Sequence, residues 1–137
     1  MAGLAVVAVV LLLPVLLVVL RRRYVVARVW GHSMSPTFHD GERVVATRRP
    51  HYRVGDVIVF RPGSATTDVA WRIKRIAAVA GDPVPAWLET DHLVVPAGRV
   101  VVVGDNTGHS ADSRQLGYID LTTVAGAVPH RAAPEGN

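Results

Sequence analysis

The fold class this sequence predicts is mostly β: a compact, largely antiparallel β domain behind one N-terminal transmembrane helix. Three observations predict it. Residues 2–20, AGLAVVAVVLLLPVLLVVL, carry no charge. From residue 24 onward, short runs rich in Val and Ile recur between turn dipeptides. No amphipathic helical period of useful length follows residue 23. The 137 residues contain no internal repeat and suit a single domain behind the anchor.

The elements follow in order. As a helix, residues 2–20 span about 28 Å, close to the ~30 Å hydrocarbon core of a bilayer. Pro14 is tolerable in such a helix. A cleavable leader would carry its positive charge before the apolar run and a small-residue cleavage site after it. Here Arg21, Arg22 and Arg23 follow the run and no Lys or Arg precedes it, so the segment reads as an uncleaved anchor. Five stretches then read as strands: YVVARVW (24–30), ERVVAT (42–47), DVIVF (56–60), VAWRIKRIAAVA (69–80) and RVVVVG (99–104). β-Branched residues favour the pleated, half-buried surface, and the intervening Asp-Gly, Gly-Asp and Pro-Gly pairs supply turns. The predicted boundaries are 1–23 for the anchor, 24–128 for the β-rich unit and 129–137 for a disordered tail.

Composition narrows the function. The net charge is +4 and the sequence pI about 10.3, which favours anionic partners. The densest basic run abuts the apolar segment, so the partner it suits is lipid headgroup rather than nucleic acid. The other arginines are scattered and lack the aromatic platforms that nucleic-acid stacking needs. With no cysteine, a disulfide framework and a thiolate metal site are both excluded. Of the 15 basic residues only Lys74 is a lysine. Arg stays protonated in proteins, whereas Lys can be made neutral.

The chemistry centres on GHSMSPTF, residues 31–38. A serine hydroxyl is a weak nucleophile and needs a base beside it. The six histidines form no recognisable triad pattern; GxSxG and HExxH are both absent, and His109 beside Ser110 and Asp112 is adjacency along a loop rather than a triad. Lys74 is the other candidate base. It lies in WRIKRIAAVAGD, read as a strand, where it shares a face with Arg72, Ile76 and Ala78. An amine that ordinarily titrates near 10.4 must be brought to roughly 7–8, which costs its ammonium form about 4 kcal/mol. Burial and a neighbouring arginine both act in that direction. Taken alone, the segment better suits a surface lysine whose stem lies along a strand edge.

Four segments occur in order: Ser33-Met34-Ser35-Pro36-Thr37; Gly55-Asp56 with Val57 to Phe60; Lys74-Arg75 through Gly81-Asp82; and Gly104-Asp105-Asn106 through Ser110-Ala111-Asp112-Ser113-Arg114. Together they resemble the boxes of the type I signal peptidase (leader peptidase) family of Ser-Lys membrane proteases, and the chain is most similar to its small Gram-positive-type members. The resemblance covers residues 27–117 and the anchor. It implies a serine endopeptidase that needs no metal or cofactor, with Ser33 as nucleophile and Lys74 as general base. It implies that Ser110 hydrogen-bonds the Lys74 amine, that Asp112 and Arg114 pair to shape the last box, and that Met34 and Ile73 line the substrate groove. The Ser33 N–H would be one oxyanion donor. The partner implied is the signal or leader peptide of a secreted precursor, cut after a small residue with another small residue two positions earlier. It would bind extended along the strand edge at residues 71–76.

The sequence departs from the family pattern in places. Gly31 stands where some members have a serine that completes the oxyanion hole, and Arg72 stands where an aromatic is frequent. Only 30 residues separate Lys74 from Gly104, too few for the large inserted cap of some members. The Arg21–Arg23 run places the β unit in the cytoplasm by the positive-inside rule. The resemblance implies instead a single-pass cell-membrane protein with its active domain outside, and four ordered motifs outweigh the charge rule. A narrower alternative is a maturation protease dedicated to one precursor. A different class is a silent, anchored, peptide-binding β domain. The self-cleaving phage-repressor type would need a helix-turn-helix that is absent here.

Overall fold

The computed structural model describes residues 1–63 and 71–129. The tail expected at 129–137 lies, apart from Pro129, outside the described residues, as do residues 69 and 70 of the expected fourth strand. Helix α1 (Ala2–Arg23) buries none of its residues and has its three arginines in the last turn. Its mean hydropathy reaches 3.2 over the most apolar window, and it is long and apolar enough to cross a membrane. Strand β1 (Tyr24–Arg28) begins at the next residue, with no linker.

The remaining elements are β2 (Arg43–Thr47), β3 (Val57–Phe60), β4 (Arg72–Val79), β5 (Arg99–Val103), the short helix α2 (Ser113–Leu116), β6 (Ile119–Asp120) and β7 (Val124–Val128). The strands form one seven-stranded sheet in the order β1-β2-β7-β3-β4-β5-β6. Every pairing is antiparallel. The mostly β, antiparallel class read from the sequence is therefore the observed one.

β3 is the central strand, and all four of its residues are buried. Period-2 alternation sends Val57 and Val59 into one apolar cluster, with Met34, Phe38, Val44 and Ile73. Ile58 and Phe60 enter the other, with Ile76, Val100, Val102 and Val124. A strand covered on both faces reads as an unbroken apolar run, which is what Val57–Phe60 is.

Two strands were not legible as such. β7, VAGAV, is fully buried and sits between β2 and β3. Its Ala and Gly residues are poor strand formers by composition. They are required by space: a Cβ on Gly126 would come within 2.6 Å of the Thr47 carbonyl carbon. β6 is only two residues long. The register of β4 against β5 slips between Ile76 and Ala78. Ala78 consequently packs in a third cluster with Val101 and Leu88. The face that Lys74 was expected to share with Ala78 thus ends at Ile76.

β1 and β4 are separated in the sheet by β2, β7 and β3. Yet the loop after β1 touches β4 through a side-chain hydrogen bond. The sheet curls far enough to bring the two together, as accumulated strand twist allows.

Candidate active site

Ser33 sits in the loop between β1 and β2. That loop is closed at its base by Val29 N–H to Glu42 O and Gly41 N–H to Val29 O, each 2.8 Å. Within it, Ser35 N–H donates to His32 O at 3.0 Å and Phe38 N–H to Met34 O at 2.9 Å. The turn is anchored from below by Met34 and Phe38, which are buried in the core. Gly31 holds φ at 76°, a region that residues with a Cβ enter at a cost. A serine at that position would be strained, so the backbone itself favours glycine there.

Lys74 Nζ lies 2.6 Å from Ser33 Oγ. Lys74 is 4% exposed. Burial, and then the nearby Arg72 guanidinium, draws its pKa from 10.5 down to about 8, against the opposing pull of Asp112 and Asp105. It is the one lysine of the chain, and burial brings its neutral form within reach at mildly alkaline pH.

The loop after β5 clamps this pair from the far side. Asn106 N–H donates to Ser33 O at 2.9 Å, and Asn106 Nδ2 to His32 O at 3.0 Å. Asp105 receives Arg75 Nε on Oδ1 and Arg75 Nη2 on Oδ2, both at 2.8 Å, while the Thr37 hydroxyl donates to Oδ2. Arg75 Nη1 also reaches Gly55 O at 2.8 Å. Desolvation pushes the Asp105 carboxyl up, but hydrogen bonds from Arg75 and Thr37 outweigh it and the pKa lies below the usual carboxylate value. The Asp105–Arg75 pair thereby ties together four segments: the serine turn, the β2–β3 connection, β4 and the loop after β5.

Asp112 is wholly buried. Arg114 grips it bidentately, Nε to Oδ1 at 2.9 Å and Nη2 to Oδ2 at 2.8 Å. Gly104 N–H donates to Oδ2 at 3.1 Å. Asp112 also caps α2 in a capping box with Gln115, and Ser113 Oγ accepts from Val102 N–H at 2.8 Å. Burial raises the Asp112 carboxyl, and the hydrogen bonds from Arg114 and from Gly104 bring it back below the normal value.

Three residues implied by the resemblance are placed differently from expectation. Ser110 Oγ is buried but has no hydrogen-bond partner among the described residues, so the expected bond to Lys74 is not formed. Met34 and Ile73 are 1% and 5% exposed and pack in the core beneath the pair, which leaves little of either to face a peptide. The open strand edge is also shorter than the expected 71–76. β5 pairs with β4 from Arg75 onward, so only Arg72, Ile73 and Lys74 have a β4 edge that no described strand covers.

Sequence reasoning quoted Thr37, Arg75 and Asp105 inside the boxes but gave them no role. The capping box had a visible signal, since Asp112 and Gln115 stand at N-cap and N3 spacing. The Arg75–Asp105–Thr37 network had none, because its members are 30 and 68 residues apart.

A family model described as "Signal peptidase, peptidase S26" matches residues 2–89 and 84–132. Mitochondrial inner membrane protease subunit 2 of Danio rerio is 34% identical over 128 residues, spanning 85% of this chain and 68% of that protein. Mitochondrial inner membrane protease subunit 1 of Schizosaccharomyces pombe is 33% identical over 113 residues, spanning 76% and 70%. The probable signal peptidase I-1 of Synechocystis is 28% identical, spanning 90% and 80%.

Proposed function

The chain belongs to the signal peptidase S26 family, and from that premise we propose that it is a membrane-anchored endopeptidase which removes signal or leader peptides by a Ser33–Lys74 mechanism. The observation that carries this reading is the 2.6 Å contact between a partly exposed serine hydroxyl and a buried amine. Residues 24–128 are the peptidase unit and α1 is its anchor, with the active unit on the extracytoplasmic side.

The neutral Lys74 amine takes the Ser33 proton as Oγ attacks the scissile carbonyl. The Ser33 N–H faces the oxygen on which negative charge develops. The resulting ammonium returns its proton to the leaving amine, which leaves an acyl group on Ser33. That leaving amine is the N-terminus of the mature chain; water, deprotonated by the same Lys74 amine, then hydrolyses the acyl ester and releases the leader as a carboxylate, with the proton returned to Ser33 Oγ. The substrate lies extended along the uncovered edge at Arg72–Lys74. The Asp105 and Asp112 networks touch no substrate; they position the serine turn and the amine.

The test is cleavage of a leader peptide by the full-length chain in detergent, with the cut site mapped by mass spectrometry. Cleavage after a small residue is the expected result. A folded parent chain that leaves the leader intact would exclude the reading.

The pH dependence follows from the Lys74 amine. Only its neutral form is competent, and its pKa is about 8. Below that, kcat/KM should fall about tenfold per pH unit, to roughly a tenth of the plateau at pH 7. Arg72 stabilises the neutral form, so Arg72→Gln should move this acid limb to higher pH while leaving the alkaline plateau in place. A limb that stays where it is, or moves down, would remove Arg72 from the tuning of the base.

A further inference from the structure

We propose that the end of the sheet beside α1 carries a phosphate-binding cleft, formed by Arg48, Arg61 and Trp71, that holds the headgroup of an anionic phospholipid. Three independent features meet there. The first is place. Arg48 N–H donates to Arg23 O at 2.9 Å, so the Arg48 main chain is fixed to the last residue of α1. Twenty-two helical residues span about 33 Å, so Arg21–Arg23 lie at headgroup depth when α1 crosses a bilayer. With no linker before β1, the cleft cannot drift away from that plane.

The second is a shaped cavity of about 480 Å³, lined by Arg48, Arg61, Trp71, Thr122 and Thr123 among others. No carboxylate is among its described lining residues, and neither arginine forms an ion pair with a described residue. Asp120, which with Arg61 lines a neighbouring concavity, is engaged and faces Arg99 at 3.8 Å. It also accepts the N–H and the hydroxyl of Thr122, at 2.9 and 2.7 Å.

The third is pre-orientation. The Arg61 guanidinium lies 4.1 Å from the centre of the half-buried Trp71 ring. Stacking holds the guanidinium plane while its N–H groups stay free to meet an oxyanion. Two arginines around a concavity suit a phosphate, which accepts bidentate hydrogen bonds from each. Trp71 is the kind of residue that sits at a membrane interface, apolar body inward and N–H outward. Phosphate in solution shares this chemistry. The covalent closeness of the cleft to a membrane-spanning helix favours the lipid.

The inference rests on the anchor and not on the Ser33–Lys74 reaction, so the two can fail separately. The test uses the full-length chain in mixed micelles of phosphatidylglycerol and phosphatidylcholine, with retained lipid counted by native mass spectrometry. The parent should retain phosphatidylglycerol preferentially. The Arg48→Gln/Arg61→Gln double variant should lose that preference on the order of tenfold or more, as expected for two interfacial arginines. Its leader cleavage in neutral detergent should match the parent, which also shows that it folds. A variant with Arg21, Arg22 and Arg23 all changed to Gln serves as the comparison. If that variant loses all preference while the double variant keeps it, the headgroups belong to the helix end and the cleft is overturned. Equal retention of the two lipids by the parent would do the same. Displacement of the bound lipid by millimolar inorganic phosphate, with phosphate retained when no anionic lipid is offered, would assign the cleft to soluble phosphate and overturn the lipid assignment.

Discussion

Lys74→Ala and Ser33→Ala should each lower kcat/KM for leader cleavage by about 10⁴-fold or more, and the double variant should be no worse than either single one. The reason is that the two groups act as one unit. Without the amine the hydroxyl stays protonated, and without the hydroxyl the amine has nothing to activate, so the losses overlap instead of multiplying. Geometry makes the expectation strong. The contact is 2.6 Å, Lys74 is nearly inaccessible to solvent, and no second base is held beside Ser33 by any described hydrogen bond.

A stability measurement separates loss of chemistry from loss of fold. The folded-state pKa of Lys74 is depressed relative to the free amine. Folding therefore works against the ammonium form at every pH below about 8, and this penalty fades between about 8 and 10.5 as the free amine also becomes neutral. Lys74→Met removes the penalty. At pH 7 it should unfold at a higher temperature than the parent, by an amount worth up to roughly 3 kcal/mol. The gain should shrink above pH 8. A variant that is inactive yet more stable cannot be explained by unfolding. A Lys74→Ala variant that cleaves within a few-fold of the parent would transfer the base role elsewhere, with His32 beside the serine the first candidate.

How much of this was legible in the sequence depends on distance along the chain. The anchor, the central strand Val57–Phe60 and the strand bearing Lys74 announce themselves by local composition. The pairing of Ser33 with Lys74 does not, since 41 residues separate them. Only the four ordered motifs suggested it. β7 escaped because its residues are chosen for smallness against the Thr47 backbone, and smallness looks like a loop when read one-dimensionally. The slip in register after Ile76 escaped because a bulge leaves no compositional trace in RIKRIAAV. The Ser110 hydroxyl was assigned to the amine by resemblance, and in the structure it has no hydrogen-bond partner among the described residues and packs against Gly104. The sequence carries the chemistry of each group and leaves its neighbours to the fold.

That last contact sets the second large effect. Gly104→Ala should reduce kcat/KM about 10²-fold while the protein still folds. Gly104 does not need glycine for its backbone angles, because its φ is not positive. It needs it for space. A Cβ there would overlap Ser110 Oγ and would lie 2.5 Å from Ser110 Cβ and 2.6 Å from the main-chain oxygen of Ser33. Contacts this short between carbon and oxygen must open by several tenths of an ångström at least. Ser33 O is also the acceptor for Asn106 N–H, two residues further along the same loop. The added methyl therefore pushes on the nucleophile turn through a clamp that has no slack. Displacing a reacting atom by as little as about 1 Å loses on the order of 10² in rate, whereas overpacking of this kind destabilises a fold by roughly 1–3 kcal/mol. Ser110→Ala is the matched control. It removes the hydroxyl without moving the turn, so combining it with Gly104→Ala should restore little, because the clash with the Ser33 carbonyl remains. If the double variant regains full activity, the loss came through Ser110 alone. If Gly104→Ala cleaves like the parent, the loop after β5 does not hold the serine in place.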